Sequence, residues 1–189
     1  MTTVVRAPQS KEFTPAPQGL HRAVCVDVLD SWTEERPQEF GGGLVEKTRL
    51  VWEIDELMDD GRRFLVSQFY TASLHEKAKL RQHLEAWRGR TFSEEELNGF
   101  DLENVIGVPC QLQVIHHTNK AGKTYANVQA VVPPGKGAER LLPTGDYIRM
   151  RDRKEEDDVA AGQDGYEDDT VPFALWLAPL AGLLIRLVA

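Results

Sequence analysis

The order of hydrophobic periods along the chain is the strongest constraint on its fold. Three runs in which apolar and polar residues alternate, the period of a half-buried strand, precede one stripe with the period of a helix. Two more alternating runs follow that stripe. The five runs are residues 19–32, 44–55, 62–71, 110–116 and 124–132. Short alternating segments separated by turn residues predict a mainly β domain.

Side-chain facing follows from the alternation. In the second run Thr48, Leu50, Trp52 and Ile54 share one face, which we expect to be the core face. In the first run Val24, Val26 and Val28 are predicted on one face, and Ala23, Cys25 and Asp27 on the other.

The helical stripe consists of Leu80, Leu84 and Trp87, spaced i, i+4 and i+7. Ser73 and Glu76 have capping-box spacing and predict the start of this helix, whereas Gly89 predicts its end. Ser93 and Glu96 repeat that spacing and predict a second, short helix.

Five short strands with a helix between the third and fourth are the order of an OB-fold, a small and partly open Greek-key barrel. The sequence therefore predicts four regions. Residues 1–18 form an extended N-terminal arm and residues 19–134 the OB-fold domain. Residues 135–173 form an acidic disordered linker that ends in a tip, and residues 174–189 an apolar C-terminal segment.

Charge is unevenly distributed along the chain. The net charge of −8 argues against a nucleic-acid partner. However, residues 150–173 hold nine acidic and three basic side chains, so the body is near neutral and has room for a local basic stripe.

Cys25 and Cys110 lie in apolar runs, which favours buried free thiols in a reducing compartment over a disulfide. The first ten residues have no apolar core, so we expect a cytoplasmic protein.

Catalysis finds little support in the sequence. The five histidines have no metal-ligand spacing, and neither HExxH nor paired CxxC occurs. No phosphate-binding GxxxxGK[ST] loop and no GxSxG is present. We therefore expect a non-enzymatic protein without a metal or cofactor.

Several runs within residues 12–134 carry a family resemblance. They are residues 64–77, Leu84-Glu85-Ala86-Trp87-Arg88-Gly89-Arg90, Phe100-Asp101-Leu102, Ile106-Gly107 and Gly122-Lys123-Thr124-Tyr125-Ala126-Asn127-Val128. Together they resemble a family of small phage-encoded proteins, described as single-stranded DNA-binding or replication-associated OB-fold proteins. The resemblance implies a role in phage DNA replication or recombination, in the host cytoplasm.

A second resemblance lies near the C-terminus. The run Glu167-Asp168-Asp169-Thr170-Val171-Pro172-Phe173 resembles the acidic tip of bacterial single-stranded DNA-binding proteins. It implies that Asp168, Asp169, Pro172 and Phe173 bind replication or recombination proteins. In those proteins the phenylalanine is the last residue, whereas 16 mostly apolar residues follow Phe173. That segment is shorter than the roughly 20 residues of a membrane span, so no span is expected.

An OB barrel binds single strands on the outer face of its first three strands and in nearby loops, combining cations with aromatic platforms. Lys47, Arg49 and Phe69 are predicted to point outward from strands two and three, and Lys120, Lys123 and Tyr125 lie in or beside the last hairpin loop. Packing of Phe69 under the helix or the arm, and a merely solvated hairpin tip, remain alternatives. Trp32, at a strand end, is predicted either to stack with bases or to cover the barrel mouth.

The sequence thus favours a protein that binds single-stranded DNA with little sequence preference. The alternative is a protein-interaction adaptor on an OB-like barrel, which recruits or inhibits replication enzymes through its C-terminal tail. The oligomeric state, including a homo-oligomer, stays open.

Overall fold

The computed structural model describes residues 14–119 and 121–153. This part of the chain contains the elements β1 (Gly19–Glu35), β2 (Leu44–Leu57), β3 (Arg63–Thr71), α1 (Lys79–Arg88), α2 (Glu94–Leu97), β4 (Pro109–Thr118) and β5 (Thr124–Val132). Short 3-10 turns lie at Gln38–Phe40, Leu102–Val105 and Met150–Asp152. The prediction of a mainly β chain with five strands is confirmed.

All five strands form one antiparallel sheet in the order β3-β2-β1-β4-β5. Strand β1 is central: Val28 pairs with Leu50 of β2, and Leu20 pairs with Gln113 of β4. The two edge strands, β3 and β5, contact each other, and α1 packs against both. The sheet therefore curls around a single interior, with α1 beside the seam between its edges.

The interior is filled by the residues that the periodicity predicts. In β2 the inner face carries Thr48, Leu50, Trp52 and Ile54, all buried. Helix α1 buries the stripe of Leu80, Leu84 and Trp87 against them. The Trp52 and Trp87 rings lie 6.3 Å apart, centroid to centroid. Cys25 and Cys110 are buried free thiols, as predicted, and burial raises the pKa of both.

Strand β1 departs from the predicted alternation. A β-bulge between Cys25 and Asp27 inserts Val26 as an extra residue, which shifts the side-chain phase. Ala23, Cys25 and Val28 consequently face the core, whereas Val24 and Val26 belong to a second apolar cluster. The prediction that Val24, Val26 and Val28 share one face is therefore wrong, and β1 is buried on both sides from Ala23 to Val28.

The two predicted capping boxes have different outcomes. The box at Ser93 and Glu96 is present and begins α2. The box predicted at Ser73 and Glu76 is wrong, because α1 begins at Lys79 after Ala78, with no side-chain cap. The Ser73 hydroxyl instead accepts a hydrogen bond from the His75 backbone within a turn. The predicted helix end at Gly89 is confirmed: its φ of 66° is left-handed, which glycine adopts without strain.

Residues 141–153, here called the strap, lie on the outer face of the sheet. Leu141 is buried against Val24, Val26 and Val51, and Tyr147 packs at the border of the same cluster. For these residues the structure differs from the linker predicted over 135–173. The bulge in β1 places the apolar side chains of Val24 and Val26 on the outer side of the sheet. The strap packs over them and removes them from water.

Candidate nucleic-acid interface

Four side chains on the outer face of β1, β2 and β3 form a ring–cation row: Trp32, Lys47, Arg49 and Phe69. The Arg49 guanidinium carbon lies 5.3 Å from the centroid of the Phe69 ring. The Trp32 ring meets Phe69 edge-on, with centroids 5.9 Å apart and planes at 87°. All four side chains are partly exposed. Rings and cations therefore share one partly exposed surface.

Strand register builds this row. Arg49 of β2 pairs directly with Phe69 of β3, and Lys47 of β2 pairs with Trp32 of β1. Lys47 and Arg49 share a face because they are two residues apart on a strand. A second bulge lies between Leu29 and Trp32, which pair with Arg49 and Lys47. That extra residue turns Trp32 onto the outer face, a placement that simple alternation from Leu29 does not predict.

Three predicted site residues, Lys47, Arg49 and Phe69, are thus brought together. Lys123 and Tyr125 form a separate pair on the β4–β5 hairpin, with the Lys123 ammonium 5.1 Å from the Tyr125 ring centroid. The register places this hairpin beyond Gly19, where β1 begins, whereas Trp32 lies near the other end of β1. Lys120 lies outside the described residues, as do Asp168, Asp169, Pro172 and Phe173.

The strap covers the part of the outer face next to the row, and two buried carboxylates hold it there. Asp27 is 1% exposed and accepts hydrogen bonds from the Tyr147 hydroxyl (3.0 Å), the Arg149 Nε (3.0 Å) and the Met150 backbone N–H (2.8 Å). Glu53, 2% exposed, accepts from the backbone N–H and the hydroxyl of Thr144, each at 2.9 Å. A buried carboxylate without such donors would be strongly destabilising.

Arg149 links the strap to two carboxylates, Asp27 and Glu103. The Arg149 guanidinium also donates to both Glu103 oxygens, at 2.9 and 2.6 Å, and this pairing lowers the pKa of Glu103. The same bonds raise the pKa of Arg149. Burial raises the pKa of Tyr147, so its hydroxyl stays protonated and donates to Asp27. The positive charge of Arg149 is therefore shared between Asp27 and Glu103.

A pocket of about 350 Å³ opens between the β1–β2 strands and residues 72–74 and 100–103. Its charged lining is entirely acidic and consists of Asp30, Glu46, Asp101 and Glu103. Carboxylates repel phosphate, so this pocket is unsuited to a nucleic-acid backbone. The ring–cation row has the opposite charge and is the better candidate for contact with a polyanion.

Within residues 14–119 and 121–153, no group of three or more His, Cys, Asp or Glu side chains is placed to hold a metal ion. In the same residues no helix combines the length and the apolar character needed to cross a membrane. Comparison of the chain with protein-family models and with curated proteins gives no match.

Proposed function

We propose that the chain folds as an OB barrel and binds single-stranded DNA with little sequence preference. Support for the OB-fold comes from the strand order. The first three strands are neighbours in sequence and space, and after the long connection of residues 72–108 strand β4 returns beside β1. The order 4-1-2-3 is that of a Greek key. Contact between β3 and β5 supports closure of the sheet into a barrel.

The single observation that carries the proposed activity is the ring–cation row on the outer face of β1, β2 and β3. OB-folds bind oligonucleotides on the face formed by strands two and three and in adjoining loops. Phe69 and Trp32 offer aromatic surfaces on which bases stack, at about 1–3 kcal/mol per base. Lys47 and Arg49 stand beside those rings, where they contact the phosphates that link stacked bases.

Weak sequence preference follows from this chemistry. Every base has an aromatic face, and every nucleotide has the same phosphate, so neither contact reads base identity. The pair of Lys123 and Tyr125 repeats the combination of cation and ring at the β4–β5 hairpin. We expect it to contact a strand long enough to extend beyond the row. The setting in phage DNA replication or recombination is part of the proposal and follows from the sequence resemblance alone.

The test is a fluorescence anisotropy titration of the full chain with a labelled oligothymidine, at low and high salt. We expect affinity to fall with salt, with a slope of about −0.7 in log–log form for each phosphate contact. Phe69→Ala is expected to weaken binding roughly tenfold, because it removes one stacking platform. The matched control is Leu65→Ala, an exposed position on the same strand outside the row, which is expected to bind normally.

Absence of oligonucleotide binding at low salt would reject the proposal. The adaptor function would then be the better explanation, and capture of replication proteins by residues 150–189 would test it. Binding that is insensitive to Phe69→Ala would reject the row as the contact surface.

A further inference from the structure

The strap borders the ring–cation row beside Leu29 of β1. Tyr147 packs against the outer apolar cluster together with Leu29, and Leu29 is the register partner of Arg49. Beyond Tyr147, the Arg153 guanidinium carbon lies 5.3 Å from the centroid of the tyrosine ring. Rings and cations therefore continue from Phe69 and Arg49 onto the strap.

Both strap side chains are held in place without a ligand. The Tyr147 hydroxyl donates to the buried Asp27 at 3.0 Å, and the Arg153 Nε donates to the Ile148 carbonyl at 3.1 Å. Because these bonds already restrict the rotamers, binding costs less conformational entropy than it would for a freely rotating arginine. Arg153 is a partly exposed residue, so the strap presents it at the protein surface.

We infer that the strap forms the second wall of the DNA-binding surface. In this arrangement Tyr147 contacts a base or sugar of single-stranded DNA, and Arg153 contacts a phosphate. This inference rests on the proposed function. A guanidinium matches phosphate geometry well, since it can donate two parallel hydrogen bonds. The strap is then part of the site, and its attachment through Asp27 sets the width of that surface. A strap that acted as a cover would have the opposite effect on affinity, because release would open the face to DNA.

The first experiment removes the Arg153 charge from the full chain. Arg153→Gln is expected to weaken oligothymidine binding roughly three- to fivefold at low salt and to lower the salt slope by about 0.7. The matched control is Arg151→Gln, which removes the same charge from the same strap but from a side chain that pairs with Glu103. It is expected to bind nearly as the unchanged chain does. Equal losses in both variants, or a loss in neither, would overturn the inference.

The second experiment tests the sign of the strap's effect. Asp27→Asn weakens the attachment of the strap, and Asp30→Asn makes the same charge change at an exposed position of the same strand. If the strap is a wall, Asp27→Asn should bind oligothymidine more weakly than the unchanged chain, whereas Asp30→Asn should bind at least as tightly as the unchanged chain. Equal or tighter binding by Asp27→Asn would overturn the inference, and tighter binding would assign the strap the role of a cover.

Phe69→Ala separates this inference from the function on which it depends. If Phe69→Ala lowers affinity and Arg153→Gln does not, the strap fails as a wall and the proposed function stands. If the unchanged chain does not bind oligothymidine at all, both are rejected.

Discussion

Replacing Asp27 by asparagine tests how strongly one buried carboxylate holds the strap to the sheet. The carboxylate accepts three hydrogen bonds, from Arg149 on one oxygen and from Tyr147 and Met150 on the other. Asparagine can keep its oxygen towards Tyr147 and Met150. Its amide then faces the Arg149 Nε, so a donor meets a donor and the ion pair is lost.

The magnitude follows from those three bonds. A hydrogen bond to a charged group contributes about 1.5–3 kcal/mol, and a neutral one about 1 kcal/mol. Loss of the Arg149 bond and weakening of the other two together predict a decrease of about 3 kcal/mol in the free energy of unfolding. Arg149 keeps its bonds to Glu103, which prevents a larger loss.

Urea unfolding followed by tryptophan fluorescence measures the effect. With a urea dependence of about 2 kcal/mol per molar for a domain of this size, the midpoint should fall by roughly 1.5 M. Asp30→Asn, exposed on the same strand, is the control and should leave the midpoint unchanged. Hydrogen exchange at the Met150 amide, which donates to Asp27, reports on the strap itself and should accelerate. Equal midpoints and equal Met150 exchange in the two variants would refute the reasoning.

Two further predictions concern the helices. Ser93→Ala removes the side-chain acceptor of the α2 capping box and should cost about 1 kcal/mol in urea unfolding, whereas Ser31→Ala at an exposed position should cost far less. Burial, with a smaller contribution from Lys79, lowers the pKa of His83 from 6.5 to about 4. The unfolded chain therefore binds the proton more readily, and stability that is fully present above pH 6.5 is lost as the pH falls towards 4, by up to about 3 kcal/mol. His83→Gln should flatten the unfolding free energy across that range, and an unchanged pH profile would contradict the assignment.

Local patterns account for the parts of the structure that were predicted correctly. The two-residue alternation of a β-strand predicts that Leu50, Trp52 and Ile54 face the core. It also places Lys47 and Arg49 on the opposite side of the same strand. The helical stripe and the glycine at its end depend on neighbours only three or four residues away. These features depend on interactions within a few residues of chain, so they can be predicted from the sequence.

Bulges and long-range contacts could not be predicted from such local patterns. Strand β1 contains two inserted residues, and each one reverses the face to which the following side chains point. Only the pairing with β2 shows where these extra residues lie. The start of α1 illustrates the same limit: Ser73 has the right spacing for a cap, but its hydroxyl bonds within a turn and the helix begins later. Asp27, which alternation places on one face with Ala23 and Cys25, is buried under the strap, where residues more than a hundred positions away donate hydrogen bonds to it.

The sequence by itself determined the number and approximate limits of the strands, the core face of β2 and the outward direction of Lys47, Arg49 and Phe69. Only the tertiary structure decided that Trp32 joins those three, that Lys123 and Tyr125 lie towards the other end of β1, and that the strap lies against the sheet. The physical reason is that periodicity records which side of its own element a residue faces. Strand register, bulges and buried ion pairs instead depend on segments that meet only when the chain has folded.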